Sequence, residues 1–264
     1  MILPASFARD GFLPINQVRS KKRHILIGTE GRSNTGKTEF ALSAPGPGIV
    51  ICIDRGFDGI FDNPNPPKTR RDDYAFKVIP IPLATQVAQP VYLEYWRAFY
   101  EEYKKALANP DARTVVLDGD SDSWELQRLA EFGRLEQIPP MRYTAVNAAR
   151  RAMIARAFDS GKVVISTNKL KDGYDSKLDN TGKEVQIRTG KDVRQGFADQ
   201  EYLYQLQLRH LHNQETGQFG VRILRCKSDT TLQGLELWGA DCNFSSLVQT
   251  IYPHISLEEW GYGR

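Results

Sequence analysis

Residues 31–38 read Gly31-Arg32-Ser33-Asn34-Thr35-Gly36-Lys37-Thr38 and match G-x-x-x-x-G-K-[ST] at every fixed position. That spacing suits a phosphate chain. Glycines at 31 and 36 remove side-chain bulk, so the backbone can wrap with its N–H groups facing an anion. The positive end of a following helix adds to the field. Lys37 supplies a compact charge for β- and γ-phosphates, and Thr38 a hydroxyl for Mg²⁺. Glu39, in the first turn of that helix, joins residues 31–38 as a cofactor-binding candidate. A metal held by one hydroxyl also needs an acid at the end of a neighbouring buried strand. Asp118 meets that condition, with Val115-Val116-Leu117 before it and Gly119 after it. Asp120 and Asp122 follow and can cap a helix starting near Ser123.

These residues need particular elements to position them. His24–Gly28 reads as a short apolar strand that runs into the glycine-rich turn, and Lys37–Leu42 resumes as a helix. Ile49–Asp54 is a β-branched run bounded by Pro and Gly, hence a buried strand. Residues 63–71 form a polar loop. Phe76–Ile81 predicts a third strand, Val91–Leu107 an aromatic-rich helix, and Arg113–Asp118 the strand that carries the acid. Helices over Ser123–Glu136 and Arg142–Phe158 lead to a strand at Lys162–Asn168. From Lys169 to Phe197 the chain turns polar, with seven basic residues against five acidic, which predicts a flexible loop or an exposed hairpin tipped by Asp179-Asn180-Thr181-Gly182. Tyr202–His212 and Phe219–Cys226 alternate as a β-hairpin, Leu235–Trp238 adds a strand, and Asn243 caps a last helix through Ile251.

Strands alternating with helices define an α/β protein with a mostly parallel sheet flanked by helices and an antiparallel extension near the C-terminus. The organisation reads as an N-terminal arm (1–22), one nucleotide-binding domain (23–252) and a C-terminal tail (253–264). The 264 residues carry 35 Lys plus Arg against 32 Asp plus Glu, a net charge of +3, so any basic surface must come from local clustering. Cys52, Cys226 and Cys242 are too widely spaced for a zinc site or a disulfide framework, which places the chain in a reducing, cytoplasmic compartment. His24, His210, His212 and His254 show no ligand spacing, and the alternating His210 and His212 read as strand-surface residues. No apolar run approaches the ~20 residues that span a bilayer, so no membrane is expected.

In chain order and spacing, with Asp118 some 80 residues beyond the phosphate loop, the sequence resembles P-loop ATPases of the RecA-like core. More closely, it is similar to the compact phage-encoded members that assist recombination and single-strand annealing. The resemblance implies that the Val163–Asn168 strand lies between the Asp118 strand and the loop strand. It also implies that Asn168 senses the γ-phosphate and that ATP with Mg²⁺ is the cofactor. Mobile loops would face single-stranded DNA, which assigns contacts to Lys169, Lys171, Lys177, Lys183, Arg188, Lys191 and Arg194, with Tyr174 for stacking. Homo-oligomers would place a basic residue such as Lys169, Lys171, Arg225 or Lys227 at a neighbour's γ-phosphate. One departure stands out. Family members place a water-polarising glutamate after the strand that follows the loop helix, whereas here that strand continues Ile53-Asp54-Arg55-Gly56-Phe57-Asp58. Asp54, Asp58 or Asp120 are the substitutes.

The catalytic candidates are therefore Lys37, Asp118, Asp54, Asp120 and Asn168. Three readings follow: an ATPase acting on single-stranded DNA, a nucleotide-dependent assembly or loader module with little turnover, and a P-loop small-molecule kinase.

Overall fold

The computed structural model describes residues 23–53, 73–81, 88–133, 138–178 and 184–263. The expected N-terminal arm, the polar loop at 63–71, Asp54, Asp58 and the hairpin tip at 179–182 lie outside them. The described strands are β1 (Ile25–Gly31), β2 (Gly48–Cys52), β3 (Tyr74–Val78), β4 (Thr114–Asp118), β5 (Val163–Leu178), β6 (Glu184–Gln195), β7 (Leu206–His212), β8 (Phe219–Cys226) and β9 (Glu236–Trp238). The helices are α1 (Lys37–Leu42), α2 (Gln89–Ala108), α3 (Asp120–Phe132), α4 (Tyr143–Asp159), α5 (Gln200–Leu203), α6 (Phe244–Ile251) and α7 (Leu257–Trp260).

One sheet runs β3-β2-β4-β5-β1-β7-β8-β9, with β6 paired to β5 off that path. The pairs from β3 to β7 are parallel, and those joining β7, β8 and β9 are antiparallel. This is the mostly parallel α/β architecture that the sequence predicts, and β5 separates β4 from β1 as the RecA-like resemblance implies. Parallel strands are feasible here because both faces are covered. The two-residue period sorts each strand's side chains: Ile25, Ile27, Val50, Val116, Val163 and Ile165 enter a core with Phe40 of α1, Phe244 of α6 and Trp260 of α7. Their neighbours Leu26, Ile51, Val115, Leu117 and Val164 enter the opposite core, with Tyr92 and Phe99 of α2, Trp124 of α3 and Met153 of α4. Each such buried aliphatic side chain contributes about 1.5–3 kcal/mol.

The structure sharpens three expectations. The segment expected as a C-terminal tail from residue 253 contains α7, opened by a Ser256–Glu259 capping box, with Trp260 buried against Phe244. Arg113 holds it to the start of β4 by donating to the carbonyls of Trp260 and, at 2.6 Å, Glu259. Of the two alternatives open for Lys169–Phe197, a flexible loop or an exposed hairpin, the structure shows the hairpin: β5 runs sixteen residues, from the sheet centre out into an arm that pairs with β6. His210 is 2 % exposed rather than on the surface, because its side of β7 faces α1, where its ring meets Phe40 edge to face at 5.2 Å.

A phosphate-loop site at the carboxyl edge of the sheet

Parallel strands end on a common edge, and ligands of open α/β sheets bind beyond their carboxyl ends. Gly31 ends β1, Asp118 ends β4 and His212 ends β7 on that edge, and β5 leaves the sheet there. The loop turns through two left-handed residues, Asn34 (φ 58°) and Gly36 (φ 81°), the latter capping α1. Asn tolerates that region better than most residues and Gly is free in it. A side chain at Gly31 is excluded for another reason: its Cβ would lie 2.4 Å from Thr35 Oγ1 and 3.0 Å from His210 Cβ. Thr35 Oγ1 donates to the Arg32 carbonyl at 2.9 Å, and Lys37 Nζ donates to the carbonyls of Gly31 (3.0 Å) and Arg32 (2.7 Å).

Asp118 is buried and meets the loop directly. Thr38 Oγ1 donates to its two carboxylate oxygens at 3.2 and 3.3 Å. Thr167 on β5 donates to Asp118 Oδ1 at 2.5 Å and accepts the Gly119 N–H at 3.0 Å, fixing the carboxylate's orientation. Thr38 Oγ1 and Asp118 form a hard oxygen donor set, and their separation is close to the ~3.0 Å between adjacent ligands of an octahedral ion with bonds near 2.1 Å. The pair fits Mg²⁺.

The other sequence candidates are placed differently. Asn168 is buried, but strand alternation sends it to the face opposite Asp118, where its Nδ2 donates to the Thr29 carbonyl at 3.4 Å. Of the polar pair that ends the buried part of β5, Thr167 is the one that reaches the acid. Asp120 is 2 % exposed and its carboxylate is committed. It pairs with the buried Arg150 and accepts from Ser123 Oγ (3.0 Å) and Gln200 Nε2 (3.0 Å), so it is turned away from the role of water-polarising acid. Asp122 pairs with Lys169 at 2.7 Å. Arg225 and Lys227, candidates for reaching a neighbour, donate to carbonyls of α5 in their own chain: Arg225 to Glu201 at 3.1 Å, Lys227 to Tyr202 at 2.6 Å.

Three features were missed in the sequence. Thr167 lies within the strand read at Lys162–Asn168, and nothing local marks it as the partner of Asp118. Glu30, buried at the end of β1, is gripped by Arg209 of β7, whose Nε donates at 2.8 Å; no local pattern links residues so far apart. Arg32, in a variable position of the loop motif, pairs with both Asp172 and Asp192 of the arm. These two acids lie directly opposite each other on β5 and β6. Like charges in that register repel, so a bridging cation is required. Hydrogen bonds to Asp192 and Asp172 raise the Arg32 pKa, and Arg32, with Arg188, holds Asp172 below the usual carboxylate range. Burial, and then the nearby Lys37 charge, push His210 down to about 3, so a neutral imidazole packs beneath the loop at ordinary pH. Arg32→Ala is expected to leave both acids without this bridge. Amide exchange in the arm strands 170–177 and 185–194 should speed up severalfold while that in β1 and β4 stays unchanged; uniform protection across the arm would show that the clasp does not order it.

Fold and site together define an α/β protein whose glycine-rich loop 31–38 joins β1 to α1, with an acid from β4 beside it. Among solved structures the chain is similar to the crystal structure of the RadB recombinase, with a TM-score of 0.45 and 14% sequence identity over 82% of this chain and 87% of that chain. No protein-family model and no curated protein matches the sequence. Among the described residues no helix is long and apolar enough to cross a membrane, and no group of His, Cys, Asp and Glu side chains gathers into a metal site of the three-ligand kind.

Proposed function

We propose that the protein binds Mg-ATP and hydrolyses it while acting on single-stranded DNA, in the manner of the compact phage-type ATPases of recombination and annealing that it resembles, in the cytoplasm and as a homo-oligomer. The observation that carries this reading is the meeting of Thr38 and Asp118, 80 positions apart in the chain, at the mouth of the phosphate loop. Lys37 and the loop amides bind and orient the phosphates, and Thr167 holds the Asp118 carboxylate in place. Thr38 and Asp118 would hold Mg²⁺, which supplies charge neutralisation at the phosphate oxygens.

The DNA part is supported by the arm. A cavity of about 860 Å³ lies between it and Arg32, bordered by Lys171, Lys191 and the exposed Tyr174. Its lining carries three cations, Arg32 among them, against the two acids Asp172 and Asp175, and this positive balance beside an aromatic face suits a sugar-phosphate strand with stacking bases. Phosphate release measured with and without single-stranded DNA tests the whole reading: turnover that DNA stimulates, and DNA binding that weakens steeply with salt, are expected. Turnover and DNA binding both absent from a folded protein would defeat it. The commitment of Asp120 to Arg150 favours one second reading, a nucleotide-dependent assembly module with little turnover. It predicts nucleotide-driven oligomers without phosphate release.

A further inference from the structure

We propose that the stacked rings of His212 and Phe219 form the platform for the base of the bound nucleotide, an inference that rests on the phosphate loop binding a nucleoside triphosphate. Three observations place the platform. His212 ends β7 and Phe219 begins β8 directly opposite it, so both sit at the edge of the sheet where β1 delivers the phosphate loop. Cross-strand partners share a face, and His210, two residues earlier on that face, packs against Phe40 of α1. The ring pair therefore lies on the same side of the sheet as the loop helix. Finally, Phe219 lies beside the loop: a Cβ built on Gly36 would be 3.4 Å from its ring.

The rings are arranged as a surface and are not core packing. Their centroids are 4.6 Å apart and their planes within 14° of parallel, while Phe219 remains 42% exposed and His212 is exposed as well. A phenylalanine left in water at the rim of an anion site offers what the phosphate loop lacks, an apolar π face for a heterocycle. Phosphates gripped at Gly36 and Lys37 leave the nucleoside at the loop's outer side, within reach of that face. Stacking of this kind tolerates any base and favours the larger purine surface. Specificity for a nucleotide over a bare polyphosphate would then reside in Phe219 and His212.

The test compares ATP with inorganic tripolyphosphate, each with Mg²⁺, by calorimetric titration of the full chain. Wild-type protein should bind ATP more tightly than tripolyphosphate. Phe219→Ala should weaken ATP on the order of tenfold and leave tripolyphosphate unchanged, His212→Ala should do the same to a smaller extent, and Phe219→Trp should restore ATP binding. Equal losses for the two ligands, or an unaltered ATP affinity in Phe219→Ala, would overturn the platform while leaving the phosphate loop's role standing. Failure of wild-type protein to bind either ligand would instead overturn the nucleotide reading, and the platform with it.

Discussion

Lys37→Ala is expected to lower affinity for ATP at least a hundredfold in a protein that remains folded. On the proposed reading the Lys37 ammonium carries charge to both the β- and γ-phosphates. Two charge-assisted contacts of about 1.5–3 kcal/mol each exceed the roughly 2.7 kcal/mol that a hundredfold change requires. Its bonds to the carbonyls of Gly31 and Arg32 stay within the loop. The strand pairing that holds β1 between β5 and β7 is made by backbone that the substitution does not touch. Thermal unfolding should shift little. Calorimetry with ATP decides the matter, and an unaltered affinity in folded Lys37→Ala would refute nucleotide binding at this loop.

The largest stability effect is expected at Arg150. Its side chain is 1 % exposed and Asp120 is 2 % exposed, so the pair lies out of water where an isolated charge is costly. Arg150 also donates to Ser123 Oγ at 2.9 Å, while Gln200 supplies the second oxygen of Asp120 with a donor. These contacts tie α3, α4 and α5 together behind the site. Arg150→Met removes the cation but leaves the buried carboxylate, a change that costs about 3–5 kcal/mol and on the order of 10 °C in Tm for a chain of this size. Replacing both partners, as Asp120→Leu with Arg150→Met, should recover a large part of the loss because no unpaired charge remains. A single-variant loss below about 1 kcal/mol in chemical denaturation would mean that water or rearrangement compensates the acid.

Sequence and structure agree where chemistry is local. The loop motif, the β-branched runs of β2, β4 and the buried part of β5, and the Asn243 cap of α6 are set by residues within a few positions of one another, and each was legible. Asp118 was legible because an acid after three buried aliphatics and before a glycine has few other uses. Its distance from Thr38 was not, since that depends on which strands become neighbours. The polar stretch after Asn168 left loop and hairpin both open because charged residues on a two-stranded ribbon leave no core face to alternate against, so the period-two signal is lost. Asp120 shows the reverse failure. An acid two positions from Asp118 looks catalytic until Arg150, thirty residues on, is found to claim it. His210 misled for a similar reason: alternation showed that it shared a face with His212, while only the packing of α1 revealed that the inner end of that face is covered.

The position of β1 also bears on how the chain acquires its site. Although β1 is the first described strand, its two neighbours come much later: Ile25 pairs with Val163 of β5, and Ile27 with Leu206 of β7. A nascent chain that has emerged only as far as α4 can pair β2 with β3 and β4, but it has no partner for the strand that carries the phosphate loop. Such distant closures are slow, because loop entropy must be spent before the contacts form. The N-terminal strand must wait, with its apolar residues exposed, until most of the protein has been made. The loop to which the proposed function assigns the nucleotide is thus among the last parts to be held in place, and nucleotide binding there would report that synthesis has reached at least β7.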